Sequence, residues 1–318
     1  MKTKNGALML DKNVKKRGVI DNLVQHRYAY ILLLPAIISV ILFLYLPMFG
    51  LIIAFKDYNI IDGLWGSDWV GLENFKVVFQ HRTMMKAVVN TLVLNFLNIF
   101  GGLPFPIILA ILFNEIWSTK FKKTVQTLSY LPHFLSWVSV VGFCYSILAI
   151  EGPINHLLAY LLGEGYEAKN FLMDSKYFLP IAFITALWKE IGWNSVIYLA
   201  AITGIDSSLY EAATIDGANK LQQTWHITLA SIKSTVVVLL VMKLGTLFSG
   251  NFELVYGLQN VFTIDDTETI GTMVYRAGIQ NGDYSTATAF GLMQGVISVI
   301  LILSSNFLSK KVAEVSIW

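Results

Sequence analysis

The sequence predicts an all-α membrane protein: six transmembrane helices with a short helix-turn-helix on one face. Three observations carry this. Hydrophobic residues make up 55% of the 318-residue chain and charged ones only 14%, where soluble domains carry roughly 25%. Mean hydropathy is +0.60. Several apolar runs exceed the roughly 18 residues that cross a bilayer as a helix. Length alone would suggest about two soluble domains, and these runs displace that reading.

Along the chain, a basic tail covers 1–28, a six-span domain 29–309 and a short tail 310–318. The first tail holds Lys2, Lys4, Lys12, Lys15, Lys16, Arg17 and Arg27, and an apolar stretch from Tyr28 to Phe55 follows. That stretch is too long for the core of a signal peptide and no small-residue cleavage site follows it, so it is expected to stay as the first span, 29–55. Further spans are expected at 87–113, 125–149, 177–203, 234–258 and 286–309. Pro35, Pro47, Pro104, Pro106 and Pro180 fall in or near them, which is tolerable where neighbouring helices satisfy the freed carbonyls.

An even number of spans places both termini on one side. Of the 23 Lys and Arg residues, 14 fall on that side and 7 in the opposite loops, with Lys189 and Lys243 inside spans. Positive charge accumulates in the cytoplasm, so the termini and the 204–233 segment are expected there. The single cysteine, Cys144, lies in an apolar run; it excludes an intrachain disulfide and reads as packing. The loops at 150–176 and 259–285 carry aromatic and turn residues, equally consistent with a docking surface or ordinary solvated loop.

The segment from Gly204 to Thr235, GIDSSLYEAATIDGANKLQQTWHITLASIKST, is short, polar and rich in small residues. Ser208 and Glu211 have capping-box spacing, which predicts a helix starting near Ser208. Asp206 and Glu211 would favour its positive end, Ala212 and Ala213 keep one face thin, and Asp216-Gly217 is a turn signal. A second helix through Leu221 to Leu229 would lead into the fifth span. Such a surface lets another protein approach closely.

These residues also carry a resemblance. Glu211-Ala212-Ala213, Gly217, Ile227 and Leu229 are similar to the EAA motif of inner-membrane permease subunits of binding-protein-dependent ABC importers. Asp216-Gly217-Ala218 and Ile227-Thr228-Leu229 resemble the carbohydrate branch, which includes maltose- and polysaccharide-type permeases. So do Gly71-Leu72-Glu73-Asn74-Phe75, Trp188 and Tyr198-Leu199-Ala200. The resemblance extends over about 29–309. Ala230 and Ser234 stand where the family carries proline, which predicts a softer kink into the fifth span.

The resemblance implies an ABC importer permease-like bundle in the cytoplasmic (inner) membrane, in contact with lipid, importing oligosaccharides by alternating access. It implies as partners an ATPase dimer, a second and different permease subunit, and an extracellular or periplasmic solute-binding protein. Glu211, Ala212, Ala213, Asp216 and Gly217 would couple the bundle to the ATPase. No nucleic acid is expected as partner.

Polar residues inside spans are expensive and usually line an interior. On a helical fifth span, Lys243, Thr246, Ser249, Glu253 and Tyr256 would share one face. Glu190, Asn194 and Tyr198 repeat every four residues in the fourth span, beside Trp188, Lys189 and Trp193. Hydroxyls, amides, a carboxylate and flat rings suit a hydrated polyol. The candidate pathway is therefore Glu190, Trp193, Asn194, Tyr198, Lys243, Ser249, Glu253 and Tyr256. Small polar residues also glue membrane helices, the reading favoured for Thr91, Asn95 and Asn98 in the second span. For Trp193, Asn194 and Glu253 both readings stay open. Glu253 is expected to be buried, with Lys189 or Lys243 as its ion partner if it packs; Lys243 is equally open to countering Glu190 or to an anionic group of the solute, and Lys189 and Glu190 to pairing or snorkelling at the outer interface.

No G-x-x-x-x-G-K-[ST] sequence occurs, so the chain is not expected to hold ATP phosphates. Its five histidines lack metal-ligand spacing, and no G-x-S-x-G elbow is present. No catalytic residue, metal or cofactor is expected, with ATP and Mg on the partner. The alternatives are an importer of a non-sugar solute and an ion-driven secondary transporter; the latter calls for inverted repeats, and none is evident.

Overall fold

A computed structural model of the chain describes residues 26–80, 82–163 and 165–313. The basic residues from Lys2 to Arg17 and most of the 310–318 tail lie outside them. Two units are distinguished, one up to Ile52 and one from Ile53 onward. The first contains most of helix α1 (Arg27–Phe55), which passes Pro35 without a break and tightens to 3-10 geometry from Phe49.

The second unit opens with a two-residue antiparallel pair, β1 (Lys56–Asp57) and β2 (Asp68–Trp69), and the amphipathic helix α2 (Glu73–Gln80). The Gly71–Phe75 run has a local physical job here. Gly71 sits at φ +63°, where glycine carries no Cβ penalty. The Asn74 amide donates to the carbonyls of Ala54 (3.0 Å) and Lys56 (2.9 Å). Phe75 and Trp69 both pack on the Phe55 ring.

The long helices follow: α3 (Thr83–Glu115), α4 (Thr119–Tyr130), α5 (Trp137–Leu148), α6 (Pro153–Leu162) and α7 (Phe178–Thr203). After them come α8 (Ser207–Ile215), α9 (Lys220–Ser231), α10 (Lys233–Leu244), α11 (Phe252–Leu258), α12 (Ile270–Tyr275) and α13 (Tyr284–Ala313).

Among the described residues, four helices are long and apolar enough to cross a membrane: Arg27–Phe55, Thr83–Glu115, Trp137–Leu162 and Tyr284–Lys311. The bent pair α9–α10 makes a fifth if counted as one span. Helix α7 has 26 residues, about 39 Å at 1.5 Å per residue, but Lys189, Glu190 and Asn194 interrupt its apolar run.

Two expected spans are corrected. The third, read as one helix over 125–149, is broken: α4 passes into a 3-10 turn at Leu131–Phe134, and α5 restarts with Ser136 accepting from the Ser139 amide at 3.2 Å. Pro132 and the Ser136 cap explain the break. Part of the 150–176 loop is the apolar helix α6. The fifth span, read as continuous over 234–258, ends at Leu244. The chain then turns to Gly250, at φ +64°, and Asn251 caps α11 by accepting from Leu254 N at 3.1 Å. The face expected to align Lys243 with Tyr256 is therefore split between two helices.

The chain also bends sharply before α10. α9 and α10 meet at 56° without proline. Ile232, only 1% exposed, takes φ −86° and ψ 0° at the joint and packs with Ile107, Ala110, Tyr198 and Ile202. Side-chain burial sets this bend. A second apolar cluster joins Leu94, Val141, Cys144, Phe178, Ala182 and Val255, and a third joins Ala54, Val78, Met84, Ala289 and Phe290.

Candidate functional site

The first site is the segment around α8 and α9. Its helix does start at Ser207, but the cap is Asp206, whose carboxylate accepts from Ser208 N at 3.0 Å. The Ser208–Glu211 box is not formed. Asp206 wins because its carboxylate, two residues earlier, already takes the free Ser208 amide. Those hydrogen bonds hold the Asp206 carboxyl below its usual range.

At the far end, Ala218 N reaches Ala213 O at 2.9 Å and Gly217 N reaches Thr214 O at 3.1 Å. With Gly217 at φ +79°, this is a Schellman closure. It gives the glycine of the EAA-type run its physical reason. A reciprocal capping box at Asn219 and Gln222 (2.9 and 2.8 Å) starts α9. The Tyr210 and Thr228 hydroxyls meet at 2.9 Å, and Gln223 donates to Thr214 at 3.0 Å. Glu211, Ala212, Asp216 and Gly217 are exposed and Ala213 half-buried, next to exposed Leu209, Ile215, Leu221 and Trp225. The five predicted residues lie together on one pre-organised knob.

The second site is a cavity of about 230 Å³ between α3, α5, α7 and α10. Asn95, Asn98, Glu190, Asn194, Lys243, Thr246, Gly250 and Asn251 supply its polar wall, Trp137 and Phe183 its aromatic one. The break after α10 exposes this wall. Asn95 donates to Leu247 O at 2.7 Å, and a Cβ on Gly250 would press on the Asn95 amide at 3.3 Å.

Charge at the cavity is organised from one side. His133 Nδ1 lies 2.8 Å from Glu190 Oε2, and the His133 ring stacks on Trp193 with centroids 4.5 Å apart. Lys189, 4% exposed, donates to His133 O at 2.6 Å, reaches Glu190 Oε1 at 3.5 Å and sits 4.8 Å over the Trp137 ring. This knot ties the break in the third span to the middle of α7. There Gly192 abuts the backbone of Ser129 so closely that any Cβ would overlap the Ser129 carbonyl.

The predicted pathway residues divide. Glu190, Asn194 and Lys243 line the cavity, and Trp193 stacks behind it. Tyr198, 3% exposed, lies instead in the apolar cluster with Ile107 and Ile202. Ser249 lines a narrow cleft with Thr91, Asn95 and Thr269. Tyr256 packs against Phe252 and Tyr275 and accepts from Gln280 at 3.2 Å. Glu253 is exposed in the first turn of α11 and pairs with neither Lys189 nor Lys243 among the described residues, contrary to the expectation of a buried ion pair. The split of the fifth span turns it away.

In the second span, Thr91 accepts from Ile270 N at 2.9 Å, which is packing, whereas Asn98 faces the cavity. Trp137 and Asn251 were not foreseen as cavity residues, nor His133 as the partner of Glu190. Pro132 with Ser136, and Gly250 with Asn251, are the break signals that point to them.

Residues 78–314 match the family model described as binding-protein-dependent transport system inner membrane component. The chain is 44% identical over 308 residues, 96% of its length and 95% of the relative's, to the polygalacturonan/rhamnogalacturonan transport system permease protein YteP of Bacillus subtilis (strain 168). It is 39% identical to protein LplB of the same organism, over 91% of this chain and 90% of that one. It is similar, at TM-score 0.85 and 36% identity, to a chain in the crystal structure of a bacterial alginate ABC transporter in complex with alginate pentasaccharide-bound periplasmic protein, over 94% of this chain and 99% of that one. This chain thus belongs to the family of binding-protein-dependent transport system inner membrane components.

Proposed function

We propose that this chain is one permease half of an ATP-driven importer for oligosaccharides. The exposed, doubly capped knob carries the proposal: Asp206, the Schellman turn at Gly217 and the Asn219–Gln222 box make a rigid unit with apolar side chains turned outward. A rigid, partly apolar surface is what a partner ATPase needs to push against. Glu211, Ala212, Ala213, Asp216 and Gly217 are its coupling residues. The polar cavity, 230 Å³ with amides, a hydroxyl and two rings, supplies a route for a polyol. The relatives named for polygalacturonan/rhamnogalacturonan and for alginate support this substrate class.

The remaining assignments follow from this one. Six spans result when α7 and the α9–α10 pair are both counted as crossing. The charge distribution puts the termini and 204–233 in the cytoplasm. A cavity of this size in a single bundle calls for a second permease subunit to complete the path, with an ATPase dimer carrying ATP and Mg, and a solute-binding protein delivering the ligand.

The test is uptake by vesicles containing the complete complex. Oligosaccharide accumulation should require ATP and the loaded binding protein, and should persist when an uncoupler collapses ion gradients. Uptake abolished by the uncoupler at constant ATP would favour the ion-driven reading instead.

A further inference from the structure

We infer that the cavity reads a negative charge on its solute, and that Lys243 takes the carboxylate of an acidic sugar ring there. This rests on the importer reading above and adds the chemical class of the solute.

Three ionised side chains stand at or next to the cavity: Glu190, Lys189 and Lys243. The Glu190 carboxylate is satisfied from the protein side, by His133 at 2.8 Å and Lys189 at 3.5 Å. Lys189 is committed as well, to the His133 carbonyl and the Trp137 ring. Lys243 differs. It is half-buried in the cavity wall, and among the described residues no carboxylate lies within 4.0 Å of its ammonium and no acceptor takes its protons. Glu190 acts on it only through space. Two ammoniums face one carboxylate, so these three side chains carry one excess positive charge.

A half-buried ammonium with three unused donors is costly unless something supplies acceptors. The surrounding groups define what that is. The side-chain amides of Asn98 and Asn194 make no hydrogen bond among the described residues and line the cavity, so they are available for ring hydroxyls. Trp137 and Phe183 offer flat faces to the apolar side of a pyranose. The cavity lies below the roughly 300–1,000 Å³ of pockets that enclose a whole drug-sized ligand, so it takes one ring of a chain at a time. A single compact cation suits a monoanion; a phosphate dianion calls for more than one charged donor or for guanidinium forks. The geometry therefore selects a carboxylate-bearing sugar.

The test uses the full reconstituted complex, a uronic-acid oligosaccharide and its carboxyl-reduced counterpart of equal length. The wild type should take up the acidic form at least tenfold better. Lys243→Gln should bring that ratio toward one through a raised KM, and Lys243→Arg should restore it. Asn194→Asp, which puts an anion in the cavity, should also depress acidic uptake selectively. An unchanged ratio in Lys243→Gln would overturn the inference, as would a complex that fails to assemble, since Lys243 would then be a structural counter-ion of Glu190. A wild type that transports both forms equally sinks the charge reading but keeps the importer; one that transports neither under ATP sinks the importer reading itself.

Discussion

In the coupling segment the longest side-chain hydrogen bond, Tyr210 to Thr228, spans 18 residues of sequence, with one exposed ion pair, Lys220 to Glu115 at 3.5 Å, reaching outside it, whereas the cavity is held by ties spanning 57 (His133 to Glu190) and 152 (Asn95 to Leu247). The first region is finished by its own caps and can move as a unit. The second exists only when four helices are in place, so any change in their spacing reshapes it. A machine that converts a push into an altered cavity needs this division, with a stiff handle at one end and a tertiary assembly at the other.

That contrast can be broken most severely at Gly192. Alanine there overlaps the Ser129 backbone, which cannot move aside like a flexible side chain, and should cost about 3 kcal/mol. The complex should no longer be recovered intact from membranes; a normal yield of monodisperse complex would show that α7 and α4 do not approach so closely. Gly250→Ala comes next. It combines a left-handed φ with pressure on the Asn95 amide, for about 1–3 kcal/mol. Thermal unfolding should move down and uptake fall, while the ATPase still co-purifies.

Gly217→Val acts in the other region. Open space surrounds Gly217, so the effect is backbone strain alone, about 1–2 kcal/mol, confined to the Schellman turn. The protein should insert and melt nearly as the wild type does, yet lose co-purifying ATPase and transport. Retention of both would remove the coupling role.

The smallest effect belongs to Asp266, which joins Lys86 at 2.6 Å and Ser175 at 2.9 Å across three segments. These partners hold its carboxyl below the usual carboxylate range. A depressed pKa contributes stability above the unfolded value, near pH 4, and loses it as pH falls through the folded value. Asp266→Asn should therefore flatten the acid side of a stability profile by lowering its neutral-pH plateau while leaving the acid limit unchanged, and only slightly, because the pair is exposed and screened.

The same division decided what the sequence could reveal. The all-α membrane character, the turn at Gly217 and the exposed small-residue knob were legible because composition and nearest neighbours set them. The exact cap was not: Asp206 and Ser208 both qualify, and only geometry chooses. The cavity was half legible. Glu190, Asn194 and Lys243 stood out as polar residues in apolar runs, but helical spacing was carried through Gly245 to Asn251, where the chain turns, and so Glu253 was placed inside. His133 gave no signal on its own, since its partner is 57 residues away. The bend at Ile232 lacked the proline that usually announces one, because burial of that side chain produces it.

The central claim is that the knob couples and the cavity carries. It is tested most directly by measuring ATP hydrolysis stimulated by the loaded binding protein alongside uptake, in one reconstituted complex. Asn194→Trp, which fills the cavity, should leave stimulated hydrolysis and abolish uptake. Gly217→Val should lose both. If Asn194→Trp transports normally, or if Gly217→Val retains stimulated hydrolysis, the two regions do not divide the work in this way.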